Sequence, residues 1–291
     1  MAFIVDWLRT RRGRGVPNRL SVVVTTYRRE DALDLVLRAL LAQTDRAFEI
    51  IVADDGSAPE TAAVIARWQA RSDIQIHHAW QPDEGFRAAE ARNRALLRAS
   101  GDYVIFIDGD CVPRRHFVQR HRALAEPGWF VAGNRMLLSK TLTQKVLDQG
   151  EAPETYAALR WAAERLRGGV NRLAPLVDLP DGPWRYARPK RWRGASACNL
   201  GAHIRDLMLV DGFDAAYRGW GCEDIDLAVR LMRAGVRRKD GRFSTGVIHL
   251  WHEENDRSRL AQNRSMLSEV VASDRVVATL GLSRLDPAGA A

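Results

Sequence analysis

Four short apolar runs, LSVVVTT (20–26), FEIIVA (48–53), IQIHHA (74–79) and DYVIFI (102–107), open the chain at near-even intervals of 28, 26 and 28 residues. Each is rich in β-branched residues and too short for a helix, the pattern of a strand buried on both faces. Helical periodicity fills the gaps. Leu33, Val36, Leu37, Leu40 and Leu41 recur at helical spacing, PETAAVIARWQA (59–70) has Pro at its start, and EARNRALLRA (90–99) follows. Strands alternating with helices leave few solutions, of which a parallel sheet with helices on both faces is the expected one. Such α/β sheets bind ligands beyond the carboxyl ends of their strands. Two of the four runs end in carboxylates, DDGS after the second and DGD after the fourth.

The rest of the chain is less regular. Residues 135–193 hold helical pieces (LTQKVLDQ, ETYAALRWAAERLRG) and then LPDGPWRYARPKRWRG, a Pro- and Arg-rich stretch expected to be an insertion or lid. Order resumes with ASACNLGAHIRDLMLVDGFD and GWGCEDIDLAVRLMRAG, where Ile225, Ala228, Val229 and Met232 make an apolar helix face closed by Gly235. The expected organisation is a basic segment at 1–17, an α/β half at 18–134, the insertion at 135–193, a second half at 194–255, and a helix with a disordered tail (SRLDPAGAA) at 256–291.

Among 291 residues the net charge is +8, and only four of the 44 basic residues are lysines (Lys140, Lys145, Lys190, Lys239). Arginine suits phosphate, carboxylate and anionic lipid surfaces alike. The three cysteines, Cys111, Cys198 and Cys222, form no CxxC pair, so spacing indicates neither a zinc site nor a disulfide framework. A reducing cytoplasm is the expected location, with peripheral contact at the inner face of the membrane left open. The N-terminus lacks the pattern of a secretory signal, and no apolar run approaches the 18 or so residues of a membrane span.

A carboxylate pair at a strand end can cap the next helix, act as general acid and base, or hold a divalent cation. Capping suits Asp110 because a helix is expected around PRRHFVQRH. A hard cation prefers carboxylate oxygens and shares them with substrate phosphates. The chain has neither GxGxxG nor Walker A, which argues against a dehydrogenase or P-loop enzyme.

TTYRR (25–29), ADDGS (53–57), DEGFRAAEARN (83–93), IDGDC (107–111), GFDAAYRGWGCED (212–224) and HLWHEE (249–254) occur in that order. Together they resemble the family-2 glycosyltransferases of the GT-A fold. The second half is similar to the chondroitin-polymerase and β-1,4-galactosyltransferase type, which carries a GWGxED motif. The resemblance implies a Rossmann-like, mostly parallel sheet and an inverting transfer of sugar from a nucleotide sugar, UDP-linked by expectation, to a saccharide or lipid-linked glycan. It also implies a role for each matching residue. Thr25 and Tyr27 would lie beside base and ribose. Asp55, helped by Asp54, would accept from the uracil imide, and Arg87 would stand near the diphosphate. Asp108 would support the ribose or a metal-bound water, while Asp110 would bind Mn²⁺ or Mg²⁺ with His252, preferred over His249, as a further ligand. Trp220 would offer an acceptor platform, Asp224 would be the base, and Glu223 would bind sugar hydroxyls. The family usually has Pro at Thr25 and Asn at Arg28. Two other readings compete: a non-catalytic nucleotide-sugar binder, and a peripheral membrane or nucleic-acid-binding protein using RTRRGRG (9–15) and RYARPKRWRG (185–194). With the transferase reading no nucleic-acid partner is expected.

Overall fold

The computed structural model describes residues 16–285; the basic run at 9–15 and the end of the tail lie outside them. The first half runs β1 (Leu20–Thr26), α1 (Glu30–Leu41), β2 (Phe48–Asp54), α2 (Pro59–Gln69), β3 (Ile76–Trp80), α3 (Ala88–Arg98), β4 (Tyr103–Asp108), β5 (Cys111–Pro113), α4 (Phe117–Leu124) and β6 (Trp129–Ala132). Then come β7 (Arg135–Leu137), α5 (Lys140–Asp148), α6 (Ala158–Leu166), β8 (Asn199–His203), α7 (Ile204–Leu209), α8 (Glu223–Arg233), β9 (Arg237–Asp240), β10 (Val247–His249) and α9 (Leu260–Ala272).

Seven strands form one sheet in the order β3-β2-β1-β4-β8-β6-β9. The first four are parallel, while β8 runs antiparallel between β4 and β6. The sheet is therefore mostly parallel, of the α/β class expected, and a strand from the second half is built into its middle. A second, three-stranded sheet, β5-β10-β7, packs beside it.

Successive side chains of a strand point to opposite faces, which divides the core in two. Leu20, Val22 and Val24 join Ile50, Val52, Ile105 and Ile107 under α1 and α4. Val23, Ile51, Val104 and Phe106 face the other way, against α3, α7 and α8. Both sets are buried, so each strand reads as an unbroken apolar run rather than an alternation.

The structure departs from the sequence reading in three places. β3 begins at Ile76 rather than Ile74, because the Ser72 hydroxyl bonds both the N–H and the carbonyl of Ile74 and draws it into a turn. Asp110 caps no helix: α4 starts at Phe117, with His116 before it. The expected disorder of the tail does not start at Ser283. Leu282 is buried, and Ser283 donates from its N–H and hydroxyl to Asp211 (2.8 and 2.7 Å).

Candidate active site

β4 carries Asp108 to the end of the sheet, and the chain turns through Gly109 and Asp110 into β5. The turn is pressed against β1. The Gly109 N–H donates to the Thr25 carbonyl at 2.7 Å. A Cβ at Gly109 would stand 3.0 Å from Thr26 Oγ1 and 3.1 Å from the Thr25 carbonyl oxygen, so the residue between the two aspartates has room for little but glycine.

The Asp110 carbonyl accepts from the Leu250 N–H (2.9 Å), which ties the turn to the end of β10 and brings two histidines to its carboxylate. His249 Nε2 stands 3.6 Å from Oδ1 and His252 Nε2 3.5 Å from Oδ2. Asp110 Oδ1 is buried and accepts no hydrogen bond among the described residues. A carboxylate with one orphaned oxygen and an imidazole nitrogen just beyond hydrogen-bond range of each of its oxygens has the chemistry of a divalent-cation site, where ligand atoms about 2.0–2.2 Å from one ion stand roughly 3 Å apart. Burial lowers the His249 pKa against the opposing pull of Asp110, favouring the neutral, metal-binding imidazole. These residues fit a hard divalent ion. His249 belongs to the group as closely as His252 does, through its register opposite Cys111.

A second cluster centres on Arg92 of α3, which is 5% exposed. Its guanidinium donates to Thr25 Oγ1 (2.9 Å), Glu223 Oε1 (3.0 Å) and Asp108 Oδ1 (3.1 Å), joining β1, β4 and the start of α8. Burial opposes its charge, yet the carboxylates of Asp108, Glu223 and Asp224 outweigh that and raise its pKa. Asp108 titrates above the usual range, chiefly from burial, with Arg92 pulling down and Asp110 pushing up.

Glu223 and Asp224 open α8 after a sharp turn in which Gly219, Gly221 and Cys222 all have positive φ (76°, 104° and 80°). Burial first, and the neighbouring Asp224 second, push Glu223 up to about 7 against the pull of Arg92. Its Oε2 is buried without a partner among the described residues. Asp224 is oriented by the N–H groups of Ile225 (2.7 Å) and Ala197 (3.3 Å). Trp220, half-buried, is held by Asn263 of α9, which donates to the carbonyls of Arg218, Trp220 and Gly221, and the Arg257 guanidinium centre lies 5.1 Å from its ring.

The end of β2 splits its two aspartates. Asp54 is fully buried, accepting from the Ser57 N–H and pairing with His78 Nε2, each at 2.9 Å. It holds the turn and does not join the others. Asp55 accepts from Gln81 Nε2 and the Arg87 N–H (both 2.6 Å), and burial pushes it up to about 6. Tyr27 is 44% exposed and donates to Asp83 (3.0 Å). Arg28 beside it has φ 47°, a left-handed backbone that suits Asn better than Arg. The Arg87 guanidinium is committed to its own loop, lying 3.1 Å from both Glu84 and Glu90.

The structure thus gathers Thr25, Asp108 and Glu223 around one arginine, and Asp110 with His252 beside the same turn. Sequence reasoning gave Arg92 no role, although it lies within the motif DEGFRAAEARN. It also missed the pairing of Cys111 and Cys198, both buried, whose sulfurs lie within 4.8 Å of each other and of an Asp108 oxygen. No spacing rule signals that pair, since the two cysteines come from opposite halves of the chain.

The family model for glycosyl transferase family 2 matches residues 21–174, and that for the N-terminal domain of galactosyltransferase matches residues 185–253. Validoxylamine A glucosyltransferase of Streptomyces hygroscopicus subsp. limoneus is 30% identical over 241 residues, covering 78% of this chain and 51% of the relative. Chondroitin synthase of Pasteurella multocida (strain Pm70) is 26% identical over 238 residues, covering 74% and 23%. The chain thus spans about half the length of the first relative and less of the second. S. aureus TarS 1–349 in complex with UDP superposes with a TM-score of 0.58 at 13% identity, over 91% of this chain and 68% of that one. That likeness is one of fold.

Proposed function

Since the chain belongs to glycosyl transferase family 2, we propose that it is an inverting, divalent-cation-dependent hexosyltransferase moving sugar from a UDP-linked donor to a saccharide or lipid-linked glycan. The observation that carries this reading is Asp110, on the strand-end turn that also positions Asp108: His249 approaches one oxygen of its carboxylate, which is buried and unpartnered among the described residues, and His252 approaches the other.

Each residue then has its own part in the transfer. Asp55 accepts the imide N–H of the base, and Tyr27 and Thr25 flank base and ribose. Asp108, fixed by Arg92, takes the ribose hydroxyls. Asp110 and His252 hold Mn²⁺ or Mg²⁺, with His249 available as a further ligand. The bound cation supplies neutralisation of the charge that gathers on the departing diphosphate. Asp224 takes the proton of the attacking acceptor hydroxyl onto a carboxylate oxygen, on the face opposite the leaving group. Glu223, titrating near neutrality, can give as well as accept a hydrogen bond to a sugar hydroxyl. Trp220 offers its ring to the acceptor.

Calorimetric titration of UDP with and without Mn²⁺, with Asp110→Ala as control, tests the donor half, and a screen of UDP sugars tests transfer. Binding that needs both Mn²⁺ and Asp110 is expected. Silence from UDP, GDP and dTDP alike, with either cation, would refute the proposal. Among the described residues no helix is long and apolar enough to cross a membrane.

A further inference from the structure

A cavity of about 500 Å³ opens at the same end of the sheet as the aspartate turn, and eight arginines line it. Gly133, Asn134, Ser196 and Cys198 also line it. Asn199, the next residue, pairs in register with Ile107 of β4, one residue before Asp108. Between Ser196 and Cys198 stands Ala197, whose N–H donates to Asp224 (3.3 Å). The cavity therefore adjoins the carboxylate proposed as base.

The charges are unbalanced. Asp240 is the one acid in the lining, so eight positive charges less one leave seven. Asp240 is itself taken by Arg242, at 3.0 Å from Nε and 2.6 Å from Nη2. Among the described residues, Arg172 and Arg238 donate to backbone carbonyls and form no ion pair. Arg185 is 1% exposed, and although Asp181 and two carbonyls take its other nitrogens, Nη2 is buried with no partner among the described residues. Among the described residues, Arg188, Arg191 and Arg193 form no ion pair; Arg135 forms none either, but against its burial the nearby Cys198, Cys111, Asp108 and Asp110 raise its pKa. Crowding cations in this way is self-repulsive unless an anion enters.

The hydrogen-bonding capacity is equally one-sided. Guanidinium groups only donate, whereas sugar hydroxyls must both donate and accept. A neutral glycan would leave its hydroxyl protons unmatched here. Phosphate and carboxylate oxygens accept only, and the planar fork of arginine fits them two at a time. Concavity also matters, since a flat anionic bilayer cannot reach the buried Arg185.

We propose that this cavity is the acceptor subsite, and that the acceptor is a glycan bearing several phosphate or carboxylate groups. The proposal rests on the transferase reading above and specifies its substrate class. It also explains the basic stretch RYARPKRWRG, which supplies Arg185, Arg188, Arg191 and Arg193 to the cavity.

The test titrates the full-length protein with a short linear polyphosphate, an oligogalacturonate, neutral maltoheptaose, and phosphatidylglycerol vesicles. Calorimetry reports binding. The triple variant Arg188→Ala/Arg191→Ala/Arg193→Ala removes three exposed cavity arginines, and Arg71→Ala/Arg165→Ala/Arg167→Ala removes the same charge from remote surface. At least one soluble polyanion should bind, roughly tenfold or more weakly in the cavity variant but not in the control; whichever binds identifies phosphate or carboxylate as the source. Equal loss in both variants, maltoheptaose binding as tight as the anions, or binding to vesicles alone would overturn the proposal. UDP titration with Mn²⁺ keeps the two readings apart. UDP binding without polyanion binding sinks only the acceptor proposal, while polyanion binding with UDP, GDP and dTDP all silent sinks the transferase reading.

Discussion

Arg92→Met should destabilise the protein strongly at alkaline pH and visibly less at acid pH. Methionine keeps much of the stem that packs beside Phe213, whose ring centroid is 5.4 Å from the guanidinium centre, but it removes the charge. Two carboxylates then lose a donor, the half-buried Asp108 at 3.1 Å and the buried Glu223 at 3.0 Å. Removing one partner of a buried ion pair costs about 3–5 kcal/mol. The pH dependence follows from Glu223, raised from 4.5 to about 7 in the folded protein. Between those values the folded state binds the extra proton, so stability falls as pH rises through the window, by about 3 kcal/mol in all. Arg92 lowers the Glu223 pKa; without it that pKa rises further and the loss above neutrality grows. At pH 5 Glu223 is largely protonated in the fold and needs its cation less. Urea unfolding of wild type and variant at pH 5 and pH 8, followed by tryptophan fluorescence, measures both effects. A loss under about 1 kcal/mol at pH 8, or an equal loss at both pH values, would refute the reasoning.

Asp224→Asn should lower kcat by roughly 10²–10⁴, about 3–5 kcal/mol in the barrier, while UDP binding persists; wild-type turnover would remove Asp224 as the base. His252→Ala should weaken Mn²⁺-dependent UDP binding more than His249→Ala, because His252 is the more open of the two to an arriving ion. The reverse order in calorimetry would make His249 the principal ligand. Ser139→Ala should cost about 1 kcal/mol, since its hydroxyl caps α5 by accepting from the Leu142 N–H at 3.2 Å. Denaturant unfolding would show that loss with turnover unchanged, and an unaltered midpoint would refute the cap.

The strand-end carboxylates were largely legible from local pattern. A β-branched run such as VVV or VIFI is a strand wherever it is buried, and strand-end chemistry made DDGS and DGD stand out before any contact was known. Even there, local pattern could not divide neighbours. Asp54 and Asp55 are adjacent in sequence, but the pleat turns Asp54 inward to Ser57 and His78 and gives Asp55 to Gln81 and Arg87. Capping by Asp110 was equally reasonable from sequence; it failed because the chain first makes β5, leaving α4 too far downstream.

By itself, then, the sequence determined the α/β class, the strand-end position of the carboxylates and the family motifs, all of which depend on periods and spacings within a few residues. Only the tertiary structure decided which charges meet. Arg92 reaches Glu223 across 131 positions of sequence, and His249 meets Asp110 only because β10 pairs with β5. The eight arginines, scattered from Arg135 to Arg242, form one cavity only through the order of β8, β6 and β9 in the sheet. Contacts of that kind are set by how elements pack, and packing depends on the whole chain at once rather than on any segment of it.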